Sequence, residues 1–173
     1  MDKILILIRH GHRDTSVRQM DNGLDKTGRA QAEAVGRFFR ERFSSAQFAN
    51  GLWLVASPKR RCVETLLPLA QDLGSSVETR SDLDEQAARE STESLHSRVH
   101  VFLQDWIASS VPVTVLSSHG DWLPLAVYHL IGLRQEPQKG SWTEIEWTGG
   151  RACLKWYIPT FKPFYPSENL TEF

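Results

Sequence analysis

The stretch Ile4-Leu5-Ile6-Leu7-Ile8-Arg9-His10-Gly11-His12-Arg13 decides the fold. An apolar run that ends abruptly on charge and glycine reads as a short strand buried on both faces, the kind found inside a parallel sheet. The basic cluster after it therefore stands at the carboxyl end of a strand, where open α/β sheets place their ligands. Gly11 lets the chain turn there and approach a ligand closely. Two guanidinium groups and two imidazoles within five residues suit an anion. A phosphoryl group suits them best, because the planar Arg fork matches two of its oxygens at once. Taken alone, the same residues read equally as a basic loop closing a strand.

Downstream segments repeat the theme. Asp25 is a good N-cap for a helix in which Ala32, Val35 and Phe39, with Phe38 and Phe43 beside them, form the face that covers a sheet. Residues 52–56 form a second strand that ends on Ser57-Pro58. That pair reads as an N-cap followed by Pro at the first position of a helix through Cys62, Val63, Leu66, Leu67 and Ala70. Pro68 is expected to kink or shorten it. Residues 76–79 read as a short third strand and 82–90 as an acidic loop. Leu95, Val99, Phe102, Leu103, Trp106 and Ile107 recur at helical spacing, the core stripe of a long helix. Residues 111–116 form a buried strand that runs into Ser117-Ser118-His119-Gly120-Asp121, with Asp121 capping a last helix that stops at Gly132. Residues 143–147 and 152–158 form a hairpin around Gly149-Gly150.

Alternating strands and helices predict one three-layer α/β/α domain with a mostly parallel sheet and an antiparallel C-terminal edge. It spans residues 1–158. Residues 159–173 are a Pro- and aromatic-rich tail, expected to lay Phe161, Phe164 and Tyr165 on the body.

The 173 residues suffice for one sizeable core, and 40% hydrophobic with 24% charged residues argues against disorder. A formal net charge of −1 gives no global field for nucleic acid or an anionic membrane, so anion binding has to be local. The six Trp residues read as packing anchors, since no basic groove accompanies them. Cys62 and Cys153 form neither a disulfide framework nor a metal spacing, which points to a reducing, cytoplasmic location. The first apolar run is too short for a signal peptide core, and no stretch is long enough to span a bilayer. His96 and His100 stand four apart, a spacing that can bind zinc, but no third ligand is evident and they read as surface histidines. The oligomeric state is not legible.

Three strands thus end in similar chemistry: Arg9-His10-Gly11, then Ser57 with Arg61 on the following helical turn, then Ser118-His119-Gly120. In a parallel sheet these ends share one crevice, pooling Arg9, Arg13, Arg61, His10 and His119 beside a helix N-terminus.

Together these segments resemble the histidine phosphatase superfamily, the phosphoglycerate mutase-like proteins. The family's opening motif stands as Arg9-His10-Gly11, and its Leu-Thr-x-x-Gly-x-x-Gln-Ala segment as Leu24 to Ala32 with Asp25 in place of Thr. Its Ser-x-x-x-Arg-x-x-x-Thr segment runs from Ser57 to Thr65, and its late Ser-His-Gly is Ser118-His119-Gly120. The resemblance implies a phosphoglycerate mutase-like fold in which His10 is the nucleophile and Arg9, Arg61 and His119 bind the phosphoryl oxygens. No metal or other cofactor is implied, since guanidinium groups supply the charge. Glu85, in Leu83-Asp84-Glu85, takes the place of the family's proton donor, with Asp84 or Asp82 as alternatives and a solvated acidic loop as the plain reading. Arg13 is similar to the second Arg of the acid-phosphatase type, although Thr15 stands where Pro is expected. Trp122 is expected to wall the pocket, and His12 to be a loop residue.

The long insertion of the large mutases is missing, because Glu90-Ser91 follows Glu85 almost at once. A compact member similar to the phosphohistidine phosphatases is implied: a phosphatase acting on a phosphorylated small molecule or a phosphoprotein. A mutase, or a phosphate-binding or protein-interaction module without catalysis, are the alternatives.

Overall fold

In chain order the elements are β1 (Lys3–Arg9), α1 (Lys26–Arg42), β2 (Leu52–Ala56), α2 (Arg60–Asp72), β3 (Glu78–Thr79), α3 (Thr92–Ala108), β4 (Val113–Ser118), α4 (Trp122–Ile131), β5 (Trp142–Thr148) and β6 (Arg151–Ile158). They come from a computed structural model that describes residues 2–17 and 20–162. The six strands form one sheet of order β3-β2-β4-β1-β5-β6. β1, β4, β2 and β3 pair parallel, while β5 pairs antiparallel with β1 and with β6. This is the α/β architecture the alternation predicts.

β1 is central, and both of its faces are covered. Leu5 and Leu7 join Val55, Leu116 and the stripe Leu95, Val99, Phe102 and Trp106 of α3 in one core. Ile6 and Ile8 join Leu54, Val115 and the buried faces of α1 and α2 in the other. A strand covered by helices on both sides has no polar face, which explains the unbroken run in the sequence.

Caps hold the helices where the sequence places them. Asp25 accepts a hydrogen bond from Gly28 N at 2.7 Å, and Ser91 accepts from Ser94 N at 3.2 Å. Asp121 accepts from Trp122 N at 2.8 Å, and Gly132 ends α4 with a left-handed φ of 71°. Gly28 is there for a different reason. A Cβ on it would stand 2.0 Å from the His12 carbonyl oxygen, so α1 crosses the β1 exit loop backbone to backbone.

Several expectations need correction. Ser57 does not cap α2, which starts three residues later after Lys59. Its hydroxyl is drawn instead toward His119 and Asp84. Pro68 does not end α2, which continues to Asp72 because Leu66, Leu69 and Ala70 remain buried around it. β3 is only two residues long, and residues 81–83 form a 3-10 turn that runs into the segment read as a loop. β4 starts two residues late, at Val113 beyond Pro112, and runs on to Ser118. Phe161 packs against Phe38 and Trp142. Phe164 and Tyr165 lie outside the described residues.

Candidate active site

Parallel pairing brings the three strand ends together. Arg9 is in register with Ser118, and Ala56 with Ser117. One step beyond the strands the backbone bonds continue, His10 N donating to Ser118 O and Ser57 N to Ser117 O, both at 3.0 Å. The loops therefore leave the sheet in fixed directions. They carry His10, Arg61 and His119 into one buried cluster, with exposures of 5%, 3% and 2%.

His10 Nδ1 lies 2.7 Å from the Gly11 carbonyl oxygen, an acceptor, so the proton sits on Nδ1 and the lone pair on Nε2. Nε2 accepts from Arg61 Nε at 3.3 Å. The same guanidinium sends Nη2 toward Glu85 Oε2 at 2.7 Å and His119 Nδ1 at 3.3 Å. Arg61 donates, so His119 Nδ1 accepts and its proton resides on Nε2. That nitrogen lies 2.8 Å from Ser57 Oγ, whose own hydrogen reaches Asp84 Oδ1 at 3.1 Å. A relay of His119, Ser57 and Asp84 thus orients the second imidazole.

Burial dominates the electrostatics. It pushes the His10 pKa down to about 2, with Arg61, His119 and Arg9 adding to the fall and the Gly11 carbonyl opposing it. His119 goes down to about 4, by burial and then Arg61, against the pull of Glu85, Asp84 and Asp121. Both imidazoles are therefore neutral bases at ordinary pH.

Arg9 closes the cluster from the β1 side. Its Nη1 donates to Pro137 O at 2.9 Å, and its guanidinium carbon lies 2.7 Å from where a Cβ on Gly120 would stand, which leaves glycine as the residue that fits there. Residues 5–89 match the sequence model of the histidine phosphatase superfamily (branch 1). Over that span, just under half of the 173 residues, the chain is similar to the histidine phosphatase superfamily.

Solved structures of similar fold include a mycobacterial glucosyl-3-phosphoglycerate phosphatase, 20% identical with a TM-score of 0.71 over 89% of this chain and 97% of that one. An Escherichia coli protein assigned as an α-ribazole-5′-P phosphatase is 18% identical, with a TM-score of 0.73 over 91% and 97%. A phosphoserine phosphatase variant of Entamoeba histolytica in complex with phosphoserine is 16% identical, with a TM-score of 0.71 over 90% and 96%. At these identities the likeness is one of fold. No curated protein matches the chain in sequence.

The other residues singled out in the sequence fall as follows. Glu85 is half-exposed and reaches the cluster through Arg61. Asp84 is taken up by Ser57 and by Lys59 at 3.4 Å, and Asp82 by Arg80. Arg13 and His12 are exposed on the loop, with Arg13 bridged through its backbone to Leu24. Trp122 does not wall the pocket. It is fully buried against Phe102 and donates Nε1 to Asp82 O at 2.7 Å, because it shares its helix face with Leu123, Ala126 and Val127. His96 is met by His129 of α4, Nδ1 to Nε2 at 3.1 Å, on the outside of the fold. Among the described residues no group of three or more His, Cys, Asp or Glu is placed to hold a metal ion, and no helix is long and apolar enough to cross a membrane.

Four residues escape a linear reading. Thr65 donates to Arg61 O at 2.7 Å and accepts from Gly11 N at 3.0 Å, tying the cation to the loop that carries His10. Its signal was the four-residue spacing from Arg61. Arg98 of α3 donates to the carbonyls of Asp82 and Glu85, at 2.9 and 3.0 Å, and grips the Glu90 carboxylate at 2.6 Å. It fixes the acidic loop that carries Glu85. Gln31, buried, joins His12 N, Lys139 O and Thr160 Oγ1. Asp21 lies 3.6 Å from Arg61 Nη1.

Proposed function

We propose that this protein is a metal-independent phosphatase that hydrolyses a phosphomonoester through a phosphohistidine on His10. One observation carries the reading: a buried imidazole whose Nδ1 proton is tied to the Gly11 carbonyl, leaving Nε2 as a lone pair beside a buried guanidinium. An attacking nitrogen needs that lone pair, and a phosphoryl group needs that cation.

The chemistry follows from the cluster. A phosphoryl dianion takes over the forks of Arg61 and Arg9, with Arg13 reaching in from the loop. Negative charge beside His119 Nδ1 favours a proton there and turns it into a third donor. His10 Nε2 attacks phosphorus as the phosphorus–oxygen bond to the leaving group breaks, and Glu85 gives that oxygen its proton. Water, losing a proton to Glu85, then attacks the phosphohistidine. The nitrogen–phosphorus bond breaks, its electron pair returns to Nε2, and inorganic phosphate leaves. The guanidinium groups hold the equatorial oxygens through both steps, the role a metal ion fills elsewhere.

Small phosphorylated compounds are the favoured substrates. The similar structures include proteins named for phosphoserine, glucosyl-3-phosphoglycerate and α-ribazole-5′-P, whereas a protein phosphohistidine rests on compactness alone. Only residues 86–91 separate Glu85 from α3, which leaves little chain for a lid.

The test is to trap acid-labile phosphate after brief exposure to a radiolabelled phosphomonoester. Label is expected on the wild type and absent, along with turnover, from folded His10→Ala, and activity should survive exhaustive chelation. Label that persists in the variant, or activity lost to chelator and restored by a divalent ion, would overturn the proposal.

A further inference from the structure

Two clefts flank Arg9. The larger, about 900 Å³, lies toward α4 and carries balanced charge, with Arg134 set against Asp121 and Glu136. The other, about 380 Å³, is different: Arg9, His12, Lys139 and Lys162 line it together with Thr27 and Gln138, and no carboxylate does. In a chain of net charge −1 that is a pronounced local excess.

The excess is not balanced by ion pairs. Among the described residues, Arg9, Arg13 and Lys139 are in no salt bridge, whereas Arg61 is held by Glu85 and Asp21. Asp25, which caps α1, offsets part of the charge at Lys139 but makes no salt bridge there. Lys139 registers the crowding: burial first, then Arg9 and Arg13, hold its ammonium below the ordinary value. Like charges gathered without a counter-charge repel, and an anion placed among them removes that cost.

The cleft is also built, and joined to the nucleophile. Its floor is Gln31, 2% exposed, fastened to His12 N at 2.9 Å and to Lys139 O at 3.0 Å. Gly140 N donates to Arg9 O at 3.0 Å and to His10 O at 3.2 Å, so the Lys139 segment cannot drift from His10. His12 follows His10 by two residues, at most about 7 Å of chain.

We propose that this cleft is a subsite for a second anionic group, a carboxylate or a second phosphate, on the leaving-group side of the molecule whose phosphoryl group meets His10. The proposal rests on the phosphatase reading in calling that molecule a substrate. It deepens that reading by naming a class: phosphomonoesters with a second acid a few bonds from the ester oxygen.

Binding of non-hydrolysable phosphonates tests the subsite without turnover. Calorimetry at low salt would compare propylphosphonate, 3-phosphonopropanoate and propane-1,3-bisphosphonate on the wild type, Lys139→Gln and Lys162→Gln. The wild type is expected to bind at least one doubly acidic probe about tenfold or more tighter than propylphosphonate, as one new charge-assisted contact gives. Lys139→Gln should lose most of that advantage while holding propylphosphonate within about twofold, a far smaller free-energy change that also reports an intact fold. The probe that gains tells carboxylate from phosphate. Equal wild-type affinities overturn the proposal, and so does an advantage that survives both Lys substitutions. A preference for the doubly acidic probes without hydrolysis of the matching esters would sink the phosphatase reading and leave the anion subsite standing. Hydrolysis without that preference would do the reverse.

Discussion

Acid should destabilise this protein through His10 and His119 beyond what its carboxylates dictate. Burial first, and Arg61 beside both, hold the two pKa values to about 2 and about 4 in the folded chain. Unfolded, each returns to about 6.5. A base depressed on folding keeps its stability intact above the unfolded value and loses it as pH falls, since only the unfolded state takes up the proton. The window opens near pH 6.5 and closes near 4 for His119 and near 2 for His10. At pH 5 the unfolded side is about 1.5 units into its titration, which costs the native state about 2 kcal/mol per histidine and about 4 for the pair. The figure depends little on the folded values so long as both stay near or below 4. Urea denaturation at pH 7 and pH 5, in phosphate-free buffer, measures it on the wild type and on His10→Gln/His119→Gln. The double variant should lose about 4 kcal/mol less between the two pH values. Parallel losses would show that both imidazoles titrate alike folded and unfolded, and the proposal of a neutral buried nucleophile would go with them.

Two further outcomes are expected at the acidic loop. Glu85→Gln should cost roughly 10²–10⁴ in rate on an alkyl phosphate and much less on an aryl phosphate whose leaving group departs unaided, with equal losses on both removing Glu85 from the acid role. Arg98→Met, which frees the carbonyls that Arg98 holds, should show the same leaving-group dependence at about a tenth to a hundredth of wild-type kcat. A change in stability alone, with kcat intact on both esters, would reduce Arg98 to a structural tie.

Local pattern carried much of the fold into the sequence. The run Ile4 to Ile8 could be read because a strand covered on both faces has nowhere to put a polar residue. Asp25 and Gly132 could be read because caps are decided within a few residues. Ser57 could not. The Ser-Pro pair is written as a helix start would be, and only the adjacency of β2 and β4 reveals that its hydroxyl is wanted by His119. Trp122 needs helix phase: its position after Ser-His-Gly-Asp suggests the pocket, but its spacing to Leu123, Ala126 and Val127 puts it in the core. The cationic cleft was invisible, since it gathers residues 9, 12, 139 and 162 through backbone bonds that no spacing encodes.

The cluster is asymmetric in a way that bears on turnover. Arg61 is 4% exposed at its side chain, and its nitrogens are already directed at His10, His119, Glu85 and Asp21. On the proposed mechanism a phosphoryl group does not enter an idle cation; it displaces partners. His10 and His119 cannot move far, being buried and bonded to Gly11 and Ser57. Glu85 and Asp21, with side chains 44% and 46% exposed, can. Binding therefore exchanges two carboxylates for one phosphoryl group on a guanidinium that stays in place. The exchange costs part of the affinity that Arg61 would otherwise give and makes inorganic phosphate easier to expel, since the carboxylates are waiting to return. It also leaves Glu85 without its ion pair and free to turn toward the leaving-group oxygen. In the proposed reaction, Glu85 is thus released by the arrival of the substrate whose leaving group it serves.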